Sequence, residues 1–523
     1  MPLYNIALDD DVVTDISMPV DGVNNSMAPT AIGANQYVQA ENRLTQRDGL
    51  NRPRPGIVRL NQIGVNVDSI NHLGQGIYLV NNAASWYEYA YSTNTLTPKT
   101  VSPPAFSLGD QVFATLANNV LYFSRGMNRP ADTSALLKYS TAGGFGTVTL
   151  NSNGPYAAFP LWACYRLMYA YQNTIIVSDL LAPESFDVAT GSVTLDPQTS
   201  DYISGLALWQ EQVIVAFRYG STYLVTTGPN LSVPDWSINR ISATVGCRCH
   251  GATVQTENDV YFLSESGRGV YAVSQSPASN QQGIWIPLSL PIQPYIDRIN
   301  WAACDNARAT YWNDLYILSV PLDGVAYNNF MLVYSVSTNA WQGLWCIEQG
   351  TLDIGARDFA RDRTNTSGTV LMAATKDGIL SKMSYPLERK YFDQNIDGSH
   401  SLYNSELLSR SFALAGDSDV NQIRPNAVRL RFLQSADPVN VTVWGDRTLQ
   451  LHKVNYPTTT SLLSLPIAGF PFDLDVEGYK NVPISLMHCG ICTEMQVELT
   501  GNGNWTIFEI KTSLFPSMPM VTR

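Results

Sequence analysis

RLMYAYQNTIIVSDLLAPESF, residues 166–186, decides the fold. Its runs 167–171 and 174–178 are rich in aromatic and β-branched residues, which suit a pleated, half-buried surface, and only Gln172 and Asn173 separate them. That spacing predicts a β-hairpin with a tight turn. Pro183 stops the second strand, because it brings no N–H to a ladder and restrains the residue before it. A strand pair ending in a polar corner is one unit of a larger β array.

The unit recurs. Comparable runs begin at Ile77 (IYLV), Val120 (VLYFS), Leu167 (LMYAY), Val213 (VIVAF), Val260 (VYFLS), Leu315 (LYILS) and Val370 (VLMAA), in steps of 43 to 55 residues. Polar turn formers precede several of them, at Asn118-Asn119, Glu211-Gln212, Asn258-Asp259 and Asn313-Asp314. A second strand-like run follows each, at 86–89, 136–139, 175–177, 223–225, 270–273, 332–334 and 379–380. A period of roughly 40–50 residues filled with short strands is that of four-stranded propeller blades, whereas helical solenoids need amphipathic helices at their period. The repeat predicts an all-β chain with a β-propeller of six to seven blades over 61–390. The competing reading is one large, irregular β-sandwich.

On either side the period stops. Residues 1–60 read as an extended N-terminal arm and docking segment, with a short helix near 36–45 and an exit held extended by Pro53 and Pro55. Residues 391–523 read as a C-terminal β-sandwich with strands at 405–414, 427–433, 439–444, 495–499 and 505–510, and with 416–426 as a surface loop.

At 523 residues the chain can bury a large core; aromatics at 11%, 36 Gly and 29 Pro suit many short strands and turns. A net charge of −12 excludes a protein that holds nucleic acid by neutralising phosphates over its whole surface, while an acidic wall lets DNA slide past. The start lacks the basic and apolar regions of a signal peptide, and no run approaches the roughly 18 apolar residues of a membrane helix. Seven sparse Cys do not make a disulfide framework, so folding in a reducing cytoplasm is expected.

Arg43, Arg47, Arg52, Arg54 and Arg59 cluster in the arm. Arg offers a planar fork of donors, so these residues are candidates for contact with a neighbouring subunit or the DNA backbone, against the plainer reading of a solvated surface offset by Glu41 and Asp48. Together with them stand a Gly22-Val23-Asn24 run, a Pro, the segment from Gln36 to Asn42 and a Gly49 to Gly56 close ahead of the β units. This order resembles the tail hub or tail nozzle proteins of short-tailed bacteriophages, and the stretches 166–186, 245–247 and 260–271 resemble blade signatures of such proteins. The resemblance implies a structural virion protein without catalytic residues or cofactors. It also implies a homohexameric ring that touches tail adaptor proteins and tail fibres or needle and continues the channel through which double-stranded DNA leaves.

Chemical motifs are few. Trp162, Trp209, Trp301, Trp312 and Trp341 read as packing between blades rather than as a sugar-stacking surface. Trp341 and Trp345, flanking Gly343, are the first candidates for contact with a glycan or partner. Cys247, Cys249 and His250, with His488, Cys489 and Cys492, bring metal-capable groups close in sequence without the two-knuckle spacing of a zinc site, so no metal is assigned. The segment 473–478 begins like a calcium loop, but Ile484 stands where a bidentate Glu is needed. Asp179 with Glu184, or Glu257 with Glu265, would serve a glycosidase only at a set separation. A carbohydrate-binding or glycan-degrading propeller at a host-contact tip is thus the alternative function.

Overall fold

The computed structural model describes residues 13–517 except 46–49, 65–66, 83–84, 101–110, 129–134, 151–155, 188–189, 198–200, 229–231, 277–284, 350–351, 363–369, 385–391, 414–421, 434–437, 457–478, 487–488, 490 and 503. Strands dominate. Among the described residues the single α-helix is Gln293–Asp297, and no helix is long and apolar enough to cross a membrane.

Seven small antiparallel sheets follow one another along the described chain. Their second strands are Ile77–Asn82, Val120–Arg125, Arg166–Tyr171, Val213–Arg218, Val260–Ser264, Leu315–Val320 and Val370–Ala374, the runs that define the repeat. Sheets one to four and sheet six are four-stranded meanders, and sheet five has three described strands. Sheet seven holds Asp358–Asp362, Val370–Ala374 and Ile379–Met383, and takes its next strand, Ile57–Gln62, from the chain ahead of sheet one.

Alternation explains why these second strands are apolar without interruption. In sheet three Leu167 and Tyr169 pack with Tyr122 and Leu136 of sheet two, while Met168 and Ala170 pack with Leu206 and Ile214 of sheet four. Phe262 of sheet five likewise faces sheet four, and Tyr261 faces sheet six. Successive side chains of a strand point to opposite faces, so a strand covered on both sides must be apolar at every position. The same device joins sheet seven to sheet one, through Met372 and Ala374 against Tyr78 and Val80. Each sheet therefore has two neighbours.

The turns match their chemistry. Asn118 and Asn119 have φ of +50° and +62°, and Asn313 and Asp314 have +49° and +61°, the left-handed values that two-residue hairpins require and that Asn and Asp tolerate. Gln172, in the hairpin of 166–177, has φ +51°.

The described residues between 13 and 60 form strands with distant partners. Val13–Ser17 pairs with Thr506–Ser517, and Arg43–Thr45 forms a hairpin with Asn51–Pro53 beside that same strand. Tyr37–Glu41 slots between Ala340–Trp345 of sheet six and Asn404–Ser409. The helix expected near 36–45 is thus two strands, because sheet partners on both sides outweigh local preference. Gly343, at φ +98°, makes the slot possible: a Cβ there would stand 2.2 Å from the Ala40 carbonyl oxygen.

Through Tyr37–Glu41, sheet six continues into C-terminal strands, so the units expected at 61–390 and 391–523 share a sheet. The expected C-terminal strands are present as Asn404–Ser409, Gln422–Leu433, Val439–Gly445, Met495–Asn502 and Thr506–Ser517, joined by Leu449–Tyr456 and Tyr479–Ser485. They form two sheets with a common core that includes Val428, Leu430, Val441, Val497 and Ile510. The surface loop expected over 416–426 is corrected at its end, where Gln422–Leu433 has begun; 416–421 lie outside the described residues. Pro425 fits there because the register with Thr506–Ser517 shifts beside it, a place where a missing N–H is tolerated.

Candidate functional site

The first strands of consecutive sheets pack against one another, and that of sheet seven packs against that of sheet one. Their leading ends bring polar groups together. Gln111, preceding sheet two, donates through Nε2 to Asn306 Oδ1 (3.0 Å) and accepts a hydrogen bond from Arg308, the first residue of sheet six. Arg308 Nε also lies 3.6 Å from Asp358, the first residue of sheet seven, whose other oxygen accepts the Ile70 N–H of sheet one at 2.9 Å. Arg357 donates to Asn306 Oδ1 and stands 3.8 Å from Asp68. Further along, Phe113 of sheet two, Phe159 of sheet three and His250 beside sheet five form a ring cluster with centroids 4.8–5.2 Å apart, and Arg308 lies over Phe113.

Sheets one, two, three, five, six and seven thus meet in one connected plug. Two guanidinium groups face Asp68 and Asp358, an arrangement in which opposite charges compensate one another away from water. Burial, reinforced by Arg308, depresses Arg357, and burial raises Asp358 against the pull of Arg308. His250 is pushed down to about 3 by burial and then by Arg308. Its Nδ1 accepts the Leu206 N–H at 3.3 Å, which a neutral ring can do. This chemistry fills space and fixes the sheets.

At the opposite ends of these strands a cavity of about 530 Å³ opens between sheets five, six and seven. Gln255, Glu257, Tyr311, Asn313, Asp314 and Arg361 line it. Arg361 Nη1 donates to the Tyr311 carbonyl at 2.6 Å, and the Tyr311 hydroxyl donates to Asp314 Oδ1 at 3.0 Å. In the sequence only the Asn313-Asp314 turn and the Glu257 carboxylate signal this place. Nothing local shows that three sheets bring the rest to it.

The arginine cluster is dispersed. Arg43 is fully buried: Nε donates to Asn51 Oδ1 (2.7 Å), Nη1 to the Trp505 carbonyl (2.9 Å), and the guanidinium carbon stands 3.8 Å from the Trp505 ring centroid. Arg54, equally buried, forms a two-pronged pair with Asp393 at 2.9 and 2.8 Å and lies over Tyr403. Burial alone would depress the Arg54 guanidinium, but Asp393 outweighs it and holds it above its ordinary value. Both are corrected from candidate surface contacts to internal clamps on the N-terminal strands. Arg59 donates to Asn395 Oδ1 at 3.0 Å, Arg52 is half-buried, and Arg47 lies outside the described residues.

Trp341 and Trp345 are also corrected. They are 2% and 0% exposed, and their Nε1 groups donate to the Leu288 and Arg43 carbonyls, so neither ring is open to a glycan. Trp312 is buried as packing, while Trp162, Trp209 and Trp301 are half-buried.

The thiols of the two Cys runs have separate hydrogen-bond partners. The Cys249 thiol donates to the Asp305 and Ala307 carbonyls, and that of Cys489 to Leu451 in a C-terminal strand; His488 is outside the described residues. Among the described residues no group of three or more His, Cys, Asp or Glu stands close enough to hold a metal ion. Burial raises the Cys247 and Cys249 thiols, which keeps them protonated and unreactive. Residues 473–478 lie outside the described residues. Glu257 and Glu265 flank opposite ends of Val260–Ser264, roughly 16 Å of strand, beyond the reach of a glycosidase pair. Glu265 is tied to Arg248 at 2.7 Å, Glu184 to Lys138, and Asp179 to Ser185.

No protein-family profile and no curated protein matches the chain. Among solved structures it is similar to the computationally designed Ika8 protein, at 9% identity with a TM-score of 0.37, and to U3-55K, at 11% with 0.40. Each alignment covers 63% of this chain and 100% of the other.

Proposed function

We propose that the seven sheets are the blades of a β-propeller carrying a C-terminal β-sandwich, and that copies of it form the nozzle or hub ring of a short-tailed bacteriophage tail. What supports the propeller is the set of apolar cores between consecutive sheets, with one more between the seventh and the first, and the strand Ile57–Gln62 that seals sheet seven with chain from ahead of sheet one. The tail reading rests on the resemblance carried by the motifs between Gly22 and Gly56 and by the stretches 166–186, 245–247 and 260–271.

One observation bears on how such a protein serves as a conduit. The convergence of its inner strands is occupied, with Gln111 bonded to Arg308 across it and Phe113, Phe159 and His250 beneath. A genome cannot pass through a single subunit along that line. On the tail reading the channel runs between subunits, which serve as wall blocks, and a net charge of −12 repels the DNA phosphates and lets them slide. Adaptors dock above and fibres or a needle at the sides or below. The virion is the place of action, after assembly in the host cytoplasm.

Native mass spectrometry and electron microscopy of the purified chain, alone and with the tail proteins assembled beside it, test this reading. A closed homo-oligomer, six-fold as the resemblance implies, is the expected result. A clean monomer at high concentration in the presence of those neighbours refutes it.

A further inference from the structure

We propose that the cavity between sheets five, six and seven is a binding site for a neutral saccharide. Its volume of about 530 Å³ falls within the roughly 300–1,000 Å³ of small-molecule sites. Its walls are polar, and their chemistry selects among ligand classes. Glu257 and Asp314 bring two carboxylates against the single guanidinium of Arg361. That balance disfavours phosphates and other anions, because the excess negative charge meets them with repulsion.

A metal ion fits poorly. Among the described residues no three carboxylates, His or Cys stand close enough to hold an ion, and one of the two carboxylates here already accepts the Tyr311 hydroxyl. A polyhydroxylated ring fits well. The carboxylates accept at two coplanar oxygens, and the amides of Gln255 and Asn313 each pair an acceptor with a donor group. Such paired atoms match the adjacent hydroxyls of a pyranose.

The wall is also fixed in place. Arg361 from sheet seven bonds the Tyr311 carbonyl, and the Tyr311 hydroxyl bonds Asp314, so the sheet-six side is braced on two edges before any ligand arrives. Glu257 and Asn313, exposed on their turns, supply the open side. The proposal does not rest on the tail-ring reading, since the cavity lies within one chain.

Saturation-transfer NMR on the full chain, with millimolar methyl glycosides of glucose, galactose, mannose and N-acetylglucosamine, is the test. At least one glycoside should receive transfer, and Glu257→Ala and Gln255→Ala should each weaken its binding about tenfold while leaving the urea midpoint unchanged. Transfer to none of the glycosides overturns the proposal. So does transfer undiminished in both variants, or displacement of the bound glycoside by inorganic phosphate.

Discussion

Replacing Asp393 by Asn tests whether the N-terminal strands are clamped from within. Asp393 accepts from both Arg54 Nη atoms, at 2.9 and 2.8 Å, and from the Ile57 N–H at 2.9 Å, and Arg54 is fully buried. Asn keeps one acceptor but turns an NH₂ group towards the guanidinium, leaving a buried cation without its counter-charge. Breaking a buried pair in this way costs about 3–5 kcal/mol. The loss falls on Ile57–Gln62, the strand that closes sheet seven, whose amide exchange reports local opening. At 1.4 kcal/mol per tenfold, exchange of the Val58 to Gln62 amides should accelerate by roughly two to three and a half powers of ten. Arg54→Met should do similar damage by stranding the carboxylate. In Arg54→Met/Asp393→Leu no charge is stranded. That variant still orphans the Pro55 carbonyl and the Ile57 N–H, each worth about 1–3 kcal/mol, so at the centre of these ranges the two single losses together should exceed the double by about 4 kcal/mol. Exchange in Asp393→Asn within about fivefold of wild type, or single losses that simply add, would refute the clamp.

Other perturbations separate the remaining parts of the argument. Gly343→Ala places a Cβ 2.2 Å from the Ala40 carbonyl at φ +98°, so Tyr37–Glu41 should leave its slot; limited proteolysis should then cut within 20–45, and resistance equal to wild type would count against the slot. His250 is neutral in the fold, with its value pushed down to about 3 from an ordinary value near 6.5. Between those values the unfolded chain binds a proton that the fold does not, so this contribution is intact above about pH 6.5 and lost as pH falls, by up to about 1.4 kcal/mol per pH unit. His250→Asn retains an acceptor for Leu206 and cannot take up that proton, so its urea midpoint should fall less than that of wild type between about pH 7 and about pH 4.5; equal slopes would show that His250 is not the group responsible.

The repeat was legible because its physics is local. A strand such as Arg166–Tyr171 is covered on both faces, so every one of its central positions is apolar, and hairpins such as Asn118-Asn119 and Asn313-Asp314 place tolerant residues at left-handed angles, although Cys164-Tyr165 ahead of Arg166 does not. Both demands act within ten residues and leave their mark in order along the chain. The arginines are the opposite case. Partners of Arg43 and Arg54 include Trp505 and Asp393, 462 and 339 positions away, and no local pattern distinguishes a guanidinium that will be enclosed by such partners from one that stays in water. Arg is also the cation best suited to burial, since its five donors can be met by carbonyls, an amide oxygen, a carboxylate and an aromatic face together. Trp345 is hidden from the sequence for the same reason: its Nε1 finds the Arg43 carbonyl, 302 positions away, so a ring beside Gly343 covers the buried cation's own backbone. The strands around Arg43 therefore tie sheet six to the C-terminal strands, and the buried cation sits at that junction.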